Sequence, residues 1–319
     1  MKHIVKTNQK IQDVINQAND GDVIYIEPGT YKEKLNIATN NLHIIGMGAG
    51  EVKITYNDFA LKDHKDGKRF GTFRSYTCLV EGDNIVLENL SIENSSGDGR
   101  QVGQAIALYV DAHFVQVKNC RLLGCQDTVF LAPLPKRPRI EGSFIGPSEH
   151  KAYRHLESYF DHCYIEGDVD FIFGGGQAFF HGCQLLSKNR HETINGYVSA
   201  PSTDASQPYG FVFYGCDFLA EEGIRTGSVF LGRPWRKFAQ VMLIGCSIAQ
   251  HIHPEGWDDW NNCDNRKTTQ FSEYKCKYAN STVTKYRRGN APFIRIEDHE
   301  PSLNFLSDWH KKCFEVEDG

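Results

Sequence analysis

Two segments of the chain repeat one pattern, and both end in an aspartate. Cys120–Asp127 and Cys163–Asp170 each read cysteine, any residue, an apolar residue, any residue, glycine, any two residues, aspartate. If the segments stack as neighbouring parallel strands, about 4.8 Å apart, matched positions point the same way and the two carboxylates form a close pair. Two close carboxylates do not ionise together easily, so one is suited to act as an acid and the other as a nucleophile or base. The alternative is that each aspartate only ends a turn after its glycine, but the matched offset favours a catalytic pair.

Amide side chains next to this pair could stabilise negative charge. Gln126 directly precedes Asp127, and Gln104 lies in the segment Gly103–Leu108, which is otherwise apolar and is predicted to be a strand. Amide donors aimed at a developing oxyanion make a large contribution to acyl transfer. For Gln104, a solvent-facing strand position is an equally good interpretation.

An arginine and several tryptophans could complete a site for a sugar. Arg233 lies in the segment Leu-Gly-Arg-Pro-Trp that ends at Trp235. Its guanidinium could hold one aspartate ionised, while Trp235 offers a flat face to a sugar ring. A surface salt bridge beside a core tryptophan is the alternative. Trp257 and Trp260 are interpreted as residues of the groove edge, with packing against the coil as the other possibility.

The elements that would position these residues are short strands. Five cysteines share one local setting, in which a polar residue or glycine precedes the cysteine and an apolar residue follows two positions later: Cys120, Cys163, Cys183, Cys216 and Cys246. The segment Val86–Ile92 fits the same pattern with Leu90 in the cysteine position. Successive cysteines are 43, 20, 33 and 30 residues apart, as expected for one coil plus loops of variable length. Short β-branched and aromatic runs without intervening helical patterns therefore predict a parallel β-solenoid with inward-facing cysteines.

Both ends of the chain predict a short helix that caps the solenoid. Residues 8–19 are predicted as an N-terminal cap helix that begins after Thr7 or Asn8. Residues 302–314 are predicted as a C-terminal cap helix that begins at Ser302. Solenoids need closures of their exposed ends, and these helices meet that need.

One segment interrupts the strand pattern between the two aspartates. Residues 134–155 contain the basic run Lys136–Arg139, several glycines and prolines, and few strand signals. We interpret this segment as a long loop that projects from the coil. The chain as a whole, residues 1–319, is predicted to form a single domain.

Composition narrows the classes of partner and cofactor. The net charge of -5 is spread along the chain, so neither nucleic acid nor a membrane is an expected partner. The first residues lack the apolar core of a signal peptide, and ten cysteines in a chain of this length fit reduced thiols, so a cytoplasmic location is expected. Secretion is the alternative if a leader peptide has been removed from the chain. No CxxC pair and no HExxH motif occurs, and we expect no metal or other cofactor. The Gly-x-Ser-x-Gly motif of many serine esterases does not occur either.

Four segments of the chain together resemble a known family. Gly103–Ala105, Gln126–Thr128, Asp170–Gly174 and Leu231–Trp235 are similar, in this order, to the four signature segments of pectin methylesterases. The resemblance implies an all-β fold, a single-stranded right-handed parallel β-helix of the pectin lyase type. It also implies metal-independent hydrolysis of galacturonate methyl esters. The 43 residues between the aspartates exceed the plant-type spacing by about a turn of the β-helix, so the bacterial type is the better match.

The resemblance assigns a role to each candidate residue. Asp170 matches the nucleophile that attacks the ester carbonyl, and Asp127 matches the acid that protonates methanol and then activates water. Gln126, with Gln104, matches the oxyanion donors, and Arg233 matches the residue that orients Asp170. The predicted substrate-binding residues are Thr77, Gln104, Phe173, Arg233 and Trp235.

Other functions remain open at this point. The same fold could carry a pectate lyase or a polygalacturonase, although these need a calcium site or differently spaced acids. A non-catalytic carbohydrate-binding solenoid, or an esterase for a different acyl group, are further alternatives. The expected partner is a substrate, either pectin or a methylated oligogalacturonide. The protein is expected to be a monomer. A loop over the groove, together with the lack of a visible secretion signal, favours an enzyme that trims methyl esters from imported oligogalacturonides in the cytoplasm.

Overall fold

The computed structural model describes residues 1–48, 50–279, 294–297 and 303–315. Strands dominate this part of the chain. In chain order they are β1 (Lys2–Val5), β2 (Val23–Ile26), β3 (Gly29–Lys32), β4 (Leu35–Ile37), β5 (His43–Gly46), β6 (Val52–Tyr56), β7 (Cys78–Val80), β8 (Val86–Glu88), β9 (Ser91–Asn94), β10 (Leu108–Val110), β11 (Val115–Lys118), β12 (Arg121–Leu123), β13 (Val129–Leu131), β14 (Glu157–Asp161), β15 (Tyr164–Gly167), β16 (Val169–Gly174), β17 (Gln177–His181), β18 (Gln184–Ser187), β19 (Gly196–Pro201), β20 (Phe211–Tyr214), β21 (Asp217–Ala220), β22 (Val229–Gly232), β23 (Gln240–Ile244), β24 (Ser247–Ile248), β25 (Gln270–Tyr274), β26 (Lys277–Tyr278) and β27 (Ile294–Glu297).

Helices are few and short among the described residues. The α-helices are α1 (Ile11–Gln17), α2 (Gly99–Val102) and α3 (Asp308–Glu315), and the 3₁₀ turns are Thr72–Arg74, Cys263–Lys267 and Leu303–Phe305. None of these helices has the length and apolar character needed to cross a membrane.

The strands form three parallel sheets that share one core. Sheet A has the order β1-β2-β5-β8-β11-β14-β17-β20-β23-β25-β27, sheet B has the order β26-β24-β21-β18-β15-β12-β9-β6-β3, and sheet C has the order β22-β19-β16-β13-β10-β7-β4. From β8 to β24, successive strands go to sheets A, B and C in rotation. Each turn of the chain therefore adds one strand to every sheet, and the predicted parallel β-helix is confirmed.

The cysteine ladder lies inside this coil, as predicted. All five cysteines are buried in the main core, and Leu90 occupies the equivalent position one coil before Cys120. The preceding residue has a positive φ in every case: Asn119, His162, Gly182, Gly215 and Gly245. Because glycine and asparagine enter this left-handed region most easily, the bend before each cysteine explains the polar or glycine residue seen there. Cys276 extends the ladder by one further step, with Lys275 at a positive φ of 47° before it. All ten cysteines are described, and none is in a disulfide.

The N-terminal helix closes the coil, but it begins later than predicted. Helix α1 buries Ile11 and Ile15 in the main core, and neither Thr7 nor Asn8 caps it. Its first N–H groups are instead bound by the carboxylate of Glu33, at 2.9 Å from the nitrogen of Ile11 and 3.2 Å from that of Gln12. The cap comes from a neighbouring turn, so a local sequence pattern could not reveal it.

The C-terminal helix is not an end cap, contrary to the prediction. Leu306 and Cys313 pack with Tyr159 and Phe179 on the outer face of sheet A, and the imidazole Nε2 of His310 donates to the carbonyl of Ser158 at 2.8 Å. These partners lie on β14 and β17, in the middle of the sheet. The predicted cap residue Ser302 lies outside the described residues.

The projecting segment, residues 134–155, contains no strand or helix. It follows β13 and precedes β14, and the side chains of Leu134 and Phe144 anchor it to an apolar cluster on the outer face of sheet C. The same cluster contains Phe130 and Phe173, which are register partners on neighbouring strands of that sheet. The segment therefore lies over the face that carries the candidate site.

Candidate active site

The two aspartates of the repeated pattern occupy matched positions on adjacent coils. Strand β13 pairs with β16 so that Val129 lies opposite Ile172, and Asp127 and Asp170 each come two residues earlier. The backbone N–H of Asp127 donates to the carbonyl of Val169 at 3.0 Å. Both aspartates have positive φ, at 64° and 51°, which is costly for residues other than glycine and tends to occur at functional sites.

A cavity of about 290 Å³ on the outer face of sheet C contains this pair. Gln104, Gln126 and Arg233 also line it. The cavity therefore brings all five predicted catalytic side chains to one place. Their roles remain predictions.

A larger cavity, of about 470 Å³, lies between segment 134–155 and the coil. Its buried acid, Asp111, is paired with Lys151 at 2.7 Å and accepts a hydrogen bond from Ser148. None of the five predicted catalytic residues lines this larger cavity. We therefore assign the chemistry to the smaller cavity.

Arg233 holds Asp170 with two parallel hydrogen bonds. Its Nε donates to Oδ1 at 2.9 Å, and its Nη2 donates to Oδ2 at 2.8 Å. The guanidinium carbon lies 3.8 Å from the ring centroid of Tyr197 and 3.9 Å from that of Trp260, so two aromatic rings fix its plane. The backbone N–H of Arg233 donates to the carbonyl of Ser199 at 3.0 Å, which places the side chain just after β22. The fork geometry favours an ionised carboxylate at Asp170.

The surroundings of the two carboxyl groups separate their protonation states. Burial raises the pKa of Asp127 well above its usual range, and the neighbouring charge of Asp170 adds to this rise. Burial also raises the pKa of Asp170, but the charge and hydrogen bonds of Arg233 oppose that rise. Of the two carboxyl groups, Asp127 is thus better suited to keep a proton, and Asp170, which the arginine fork holds, is better suited to stay charged. Such an arrangement can supply one acid and one nucleophile, as the sequence predicts.

The predicted oxyanion donors both reach the cavity, although Gln104 does so from an unexpected element. Gln104 follows helix α2 and precedes β10, which begins only at Leu108. The predicted strand Gly103–Leu108 is therefore wrong except for its last residue. Gln126 directly precedes Asp127, and its side chain packs against the backbone of Gly99, where a Cβ would come within 2.8 Å of it.

Of the predicted substrate-binding residues, Phe173 and Trp235 line the cavity, together with Gln104 and Arg233. The prediction for Thr77 is wrong. Its side chain is 0% exposed, and its hydroxyl donates to the carbonyl of Glu93 at 2.9 Å. Thr72 and Phe73, a few residues earlier, take the groove position instead.

The two later tryptophans have different environments. Trp260 lines the cavity, as predicted. Trp257 is buried, stacks on Phe271 with 4.2 Å between ring centroids, and donates its indole N–H to Glu273 at 2.9 Å. The groove-edge interpretation of Trp257 is therefore wrong, because this residue belongs to the core.

Several groove residues were not anticipated from the sequence. They are Tyr197 beneath Arg233, and the cavity-lining residues Thr72, Phe73, Arg139, Ile140, Ser143, Phe144, Ala200 and Arg236. The basic run Lys136–Arg139 was the available signal for Arg139, but nothing in the local sequence showed that it turns toward the aspartates.

Among the described residues, one group of side chains has ligand atoms close enough for a metal ion: Asp161, His162 and His181. It lies at the ends of β14 and β17, in sheet A, away from the cavity. The Asp161 carboxylate is within hydrogen-bonding distance of both imidazoles, at 2.7 Å and 3.0 Å. Hydrogen bonding accounts for this arrangement without an ion.

Comparison with known proteins supports one family. The family model named Pectinesterase matches residues 2–134 and 149–305. Pectinesterase 31 of Arabidopsis thaliana is 32% identical over 277 residues, which cover 83% of this chain and 78% of the relative. The chain belongs to the pectinesterase family. A longer Arabidopsis relative, named as a combined pectinesterase and pectinesterase inhibitor, is 31% identical, and the match spans 43% of its length.

Solved structures of pectin methylesterases share the fold of this pectinesterase-family chain. One in complex with a hexasaccharide has a TM-score of 0.77 at 27% identity, with 97% of each chain covered. Pectin methylesterase PemA from Erwinia chrysanthemi has a TM-score of 0.76 at 26% identity, covering 96% of this chain and 97% of PemA. The family model does not match residues 135–148 of this chain, and these residues lie within the projecting segment.

Proposed function

We propose that this protein is a pectin methylesterase that hydrolyses methyl esters of galacturonate units to free carboxylate and methanol. One observation carries the proposal: two aspartates at matched positions share a cavity, and only Asp170 is held by an arginine fork. Membership of the pectinesterase family supports the reaction class.

The geometry supports a two-step mechanism through a covalent intermediate. A carboxylate oxygen of Asp170 attacks the ester carbonyl, and the amides of Gln126 and Gln104 stabilise the resulting oxyanion. The tetrahedral intermediate collapses as Asp127 gives its proton to the departing methoxy oxygen, which releases methanol and leaves the substrate acyl group on Asp170. The ionised Asp127 then takes a proton from water, which attacks the acyl group. The products are a galacturonate carboxyl group, a protonated Asp127 and a free Asp170.

The ring-lined groove supports a sugar substrate. Phe73, Phe173, Trp235 and Trp260 line the same cavity as the aspartates, and flat apolar faces pack well against sugar rings. A simple methyl ester without a sugar would leave these surfaces uncovered.

An assay on a methylated oligogalacturonide separates this function from its alternatives. We expect methanol to accumulate without new reducing ends or unsaturated products. Chain cleavage without methanol would instead identify a lyase or a polygalacturonase, and binding without any product would identify a carbohydrate-binding solenoid. A parallel assay with acyl thioesters tests the remaining alternative, and we expect them to be hydrolysed far more slowly than the galacturonate ester.

A further inference from the structure

The carboxyl ends of two strands in sheet C carry a second pair of acids. Glu81 directly follows β7 and Asp111 directly follows β10, and the register of these strands places Val80 opposite Val110. The backbone N–H of Asp111 donates to the carbonyl of Val80 at 2.8 Å. The two acids therefore occupy matched positions on adjacent coils, and the coil fixes the place of each.

The projecting segment supplies a cation and a hydroxyl group to this pair. Nζ of Lys151 lies 2.7 Å from Oε1 of Glu81 and 2.7 Å from Oδ2 of Asp111. The Ser148 hydroxyl donates to the same oxygen of Asp111, so the Tyr109 hydroxyl, at 2.6 Å, donates to Ser148. Asp111, Ser148 and Tyr109 are buried, and a buried polar group that loses its partner is costly. Asp111 is thus the point at which two side chains of the segment are held on the coil.

A short stretch of chain connects this contact to the wall of the active-site cavity. Phe144, four residues before Ser148, lines both the active-site cavity and the larger cavity, so it lies between the two. Its ring centroid is 5.7 Å from that of Phe73 and 6.1 Å from that of Trp235. Gly146 packs so closely on Phe73 that an added Cβ would lie 2.5 Å from the Cβ of that residue. A shift of Ser148 would therefore displace the rings of Phe144 and Phe73 in the cavity wall.

The segment has no strand or helix to hold it, so its position depends on such side-chain contacts. Resting on the proposed esterase function, we propose that Asp111 is a positioning residue for substrate binding. Through Lys151 and Ser148 it fixes the segment, and with it the ring of Phe144, in the wall of the active-site cavity. Asp111 does not line that cavity itself. Its loss therefore weakens the ground state and the transition state equally, which raises KM and leaves kcat unchanged.

Steady-state kinetics of methanol release separates binding from chemistry. With a methylated oligogalacturonide, we expect Asp111→Asn and Lys151→Gln each to raise KM by about fivefold or more and to keep kcat within about twofold of the wild type. The two replacements change the net charge in opposite directions. Long-range attraction or repulsion of a charged oligomer would therefore move their KM values in opposite directions. Lys151→Arg should keep a KM near that of the wild type, because it retains a cation between the two acids.

Lys136→Gln is the matched control. It removes the same charge from the same segment, but its ion pair, with Asp204 at 2.9 Å, involves neither Asp111 nor Glu81. We expect this variant to keep the wild-type KM. An equal rise of KM in Lys136→Gln and Lys151→Gln would overturn the proposal. It would also be overturned by a wild-type KM in Asp111→Asn and Lys151→Gln, by KM values that move in opposite directions, or by a loss confined to kcat.

Amide hydrogen exchange tests the same contact without turnover. In Asp111→Asn we expect faster exchange in residues 143–151 and unchanged exchange in the strands of the coil. Unchanged exchange in residues 143–151 would show that Asp111 does not hold the segment and would overturn the proposal. A wild type that releases no methanol would instead overturn the esterase function, because exchange does not depend on turnover.

Discussion

Asp127 and Asp170 begin from the same sequence pattern, but their neighbours give them different chemistry. Both are buried. Asp127 lies between β12 of sheet B and β13 of sheet C, and Asp170 follows β15 of sheet B as the second residue of β16 in sheet C. Only Asp170 receives the two hydrogen bonds of Arg233. The proposed division into an acid and a nucleophile therefore depends on one arginine, which lies more than sixty positions after Asp170 in the chain.

Replacement of Asp127, the proposed acid, by asparagine should abolish methanol release and stabilise the folded state. The folded state raises the pKa of Asp127, so its contribution to stability is complete at low pH and is lost as pH rises through the folded pKa. An amide does not ionise, and asparagine accepts the positive φ of 64° more easily. Asp127→Asn should thus raise the free energy of unfolding by about 1 kcal/mol at neutral pH. Urea unfolding at several pH values checks this, and a gain that shrinks as pH rises would contradict it.

Replacement of Arg233 should shift the pH dependence of kcat/KM. The charge and hydrogen bonds of Arg233 lower the pKa of Asp170 against the effect of burial. In Arg233→Gln that pKa rises, so Asp170 becomes ionised only at higher pH. We expect the acidic limb of kcat/KM for methanol release to move up by about one pH unit or more. Arg137→Gln serves as control, and an unmoved limb in Arg233→Gln would contradict the assignment.

At the scale of elements, the N-terminus of helix α1 is capped by a residue from another turn of the coil. Helix α1 has no capping side chain of its own, and Glu33, from the connection between β3 and β4, binds its first two N–H groups. The carboxylate also lies at the positive end of the helix dipole. The N-terminal closure of the coil thus depends on a residue of the next turn.

Glu33→Gln should weaken this closure. The amide oxygen can still accept one hydrogen bond, but the favourable charge at the helix N-terminus is lost. We expect a loss of about 0.5–1 kcal/mol in the free energy of unfolding, measured by urea denaturation. Glu51→Gln removes the same charge from an exposed side chain and should leave stability unchanged. Equal stability of both variants would show that the cap contributes nothing.

Residues whose positions are fixed by the local strand repeat could be predicted from the sequence. Residues whose positions depend on contacts between distant parts of the chain could not. Asp127 and Asp170 were predictable because a strand pattern that repeats in every coil fixes their offset. Arg139, Tyr197 and Arg236 were not, because their positions depend on the paths of long connections that no periodicity specifies. Thr77 was misplaced for the same reason, since the groove position belongs to the preceding 3₁₀ turn.

At the scale of the whole molecule, the fold was predictable from the cysteine ladder. Repeated small apolar side chains stack in a coil whose rungs differ only in loop length. The positive φ before each cysteine was not predicted, although it explains the glycine or polar residue at that position. The C-terminal helix was misplaced because an amphipathic pattern shows that a helix must pack, but not against which surface. The predicted monomer stays a prediction.

The ladder predicts how the thiols respond to a reagent. Cys263 is exposed, Cys125 and Cys276 are half-buried, and the other seven cysteines are buried. Under native conditions we expect one thiol to react rapidly with an aromatic disulfide reagent, and the buried thiols to react only when the coil unfolds. Rapid reaction of several thiols in the native protein would show that the stacked cysteines are accessible to solvent and not buried in the coil.

The proposed reaction begins with attack by the carboxylate of Asp170. Asp170→Asn keeps the size of the side chain but removes the attacking oxyanion. We predict that the initial rate of methanol release from a methylated oligogalacturonide falls by about a thousandfold or more, while the far-ultraviolet circular dichroism stays that of the wild type. A folded Asp170→Asn protein that releases methanol within tenfold of the wild-type rate would contradict the central claim.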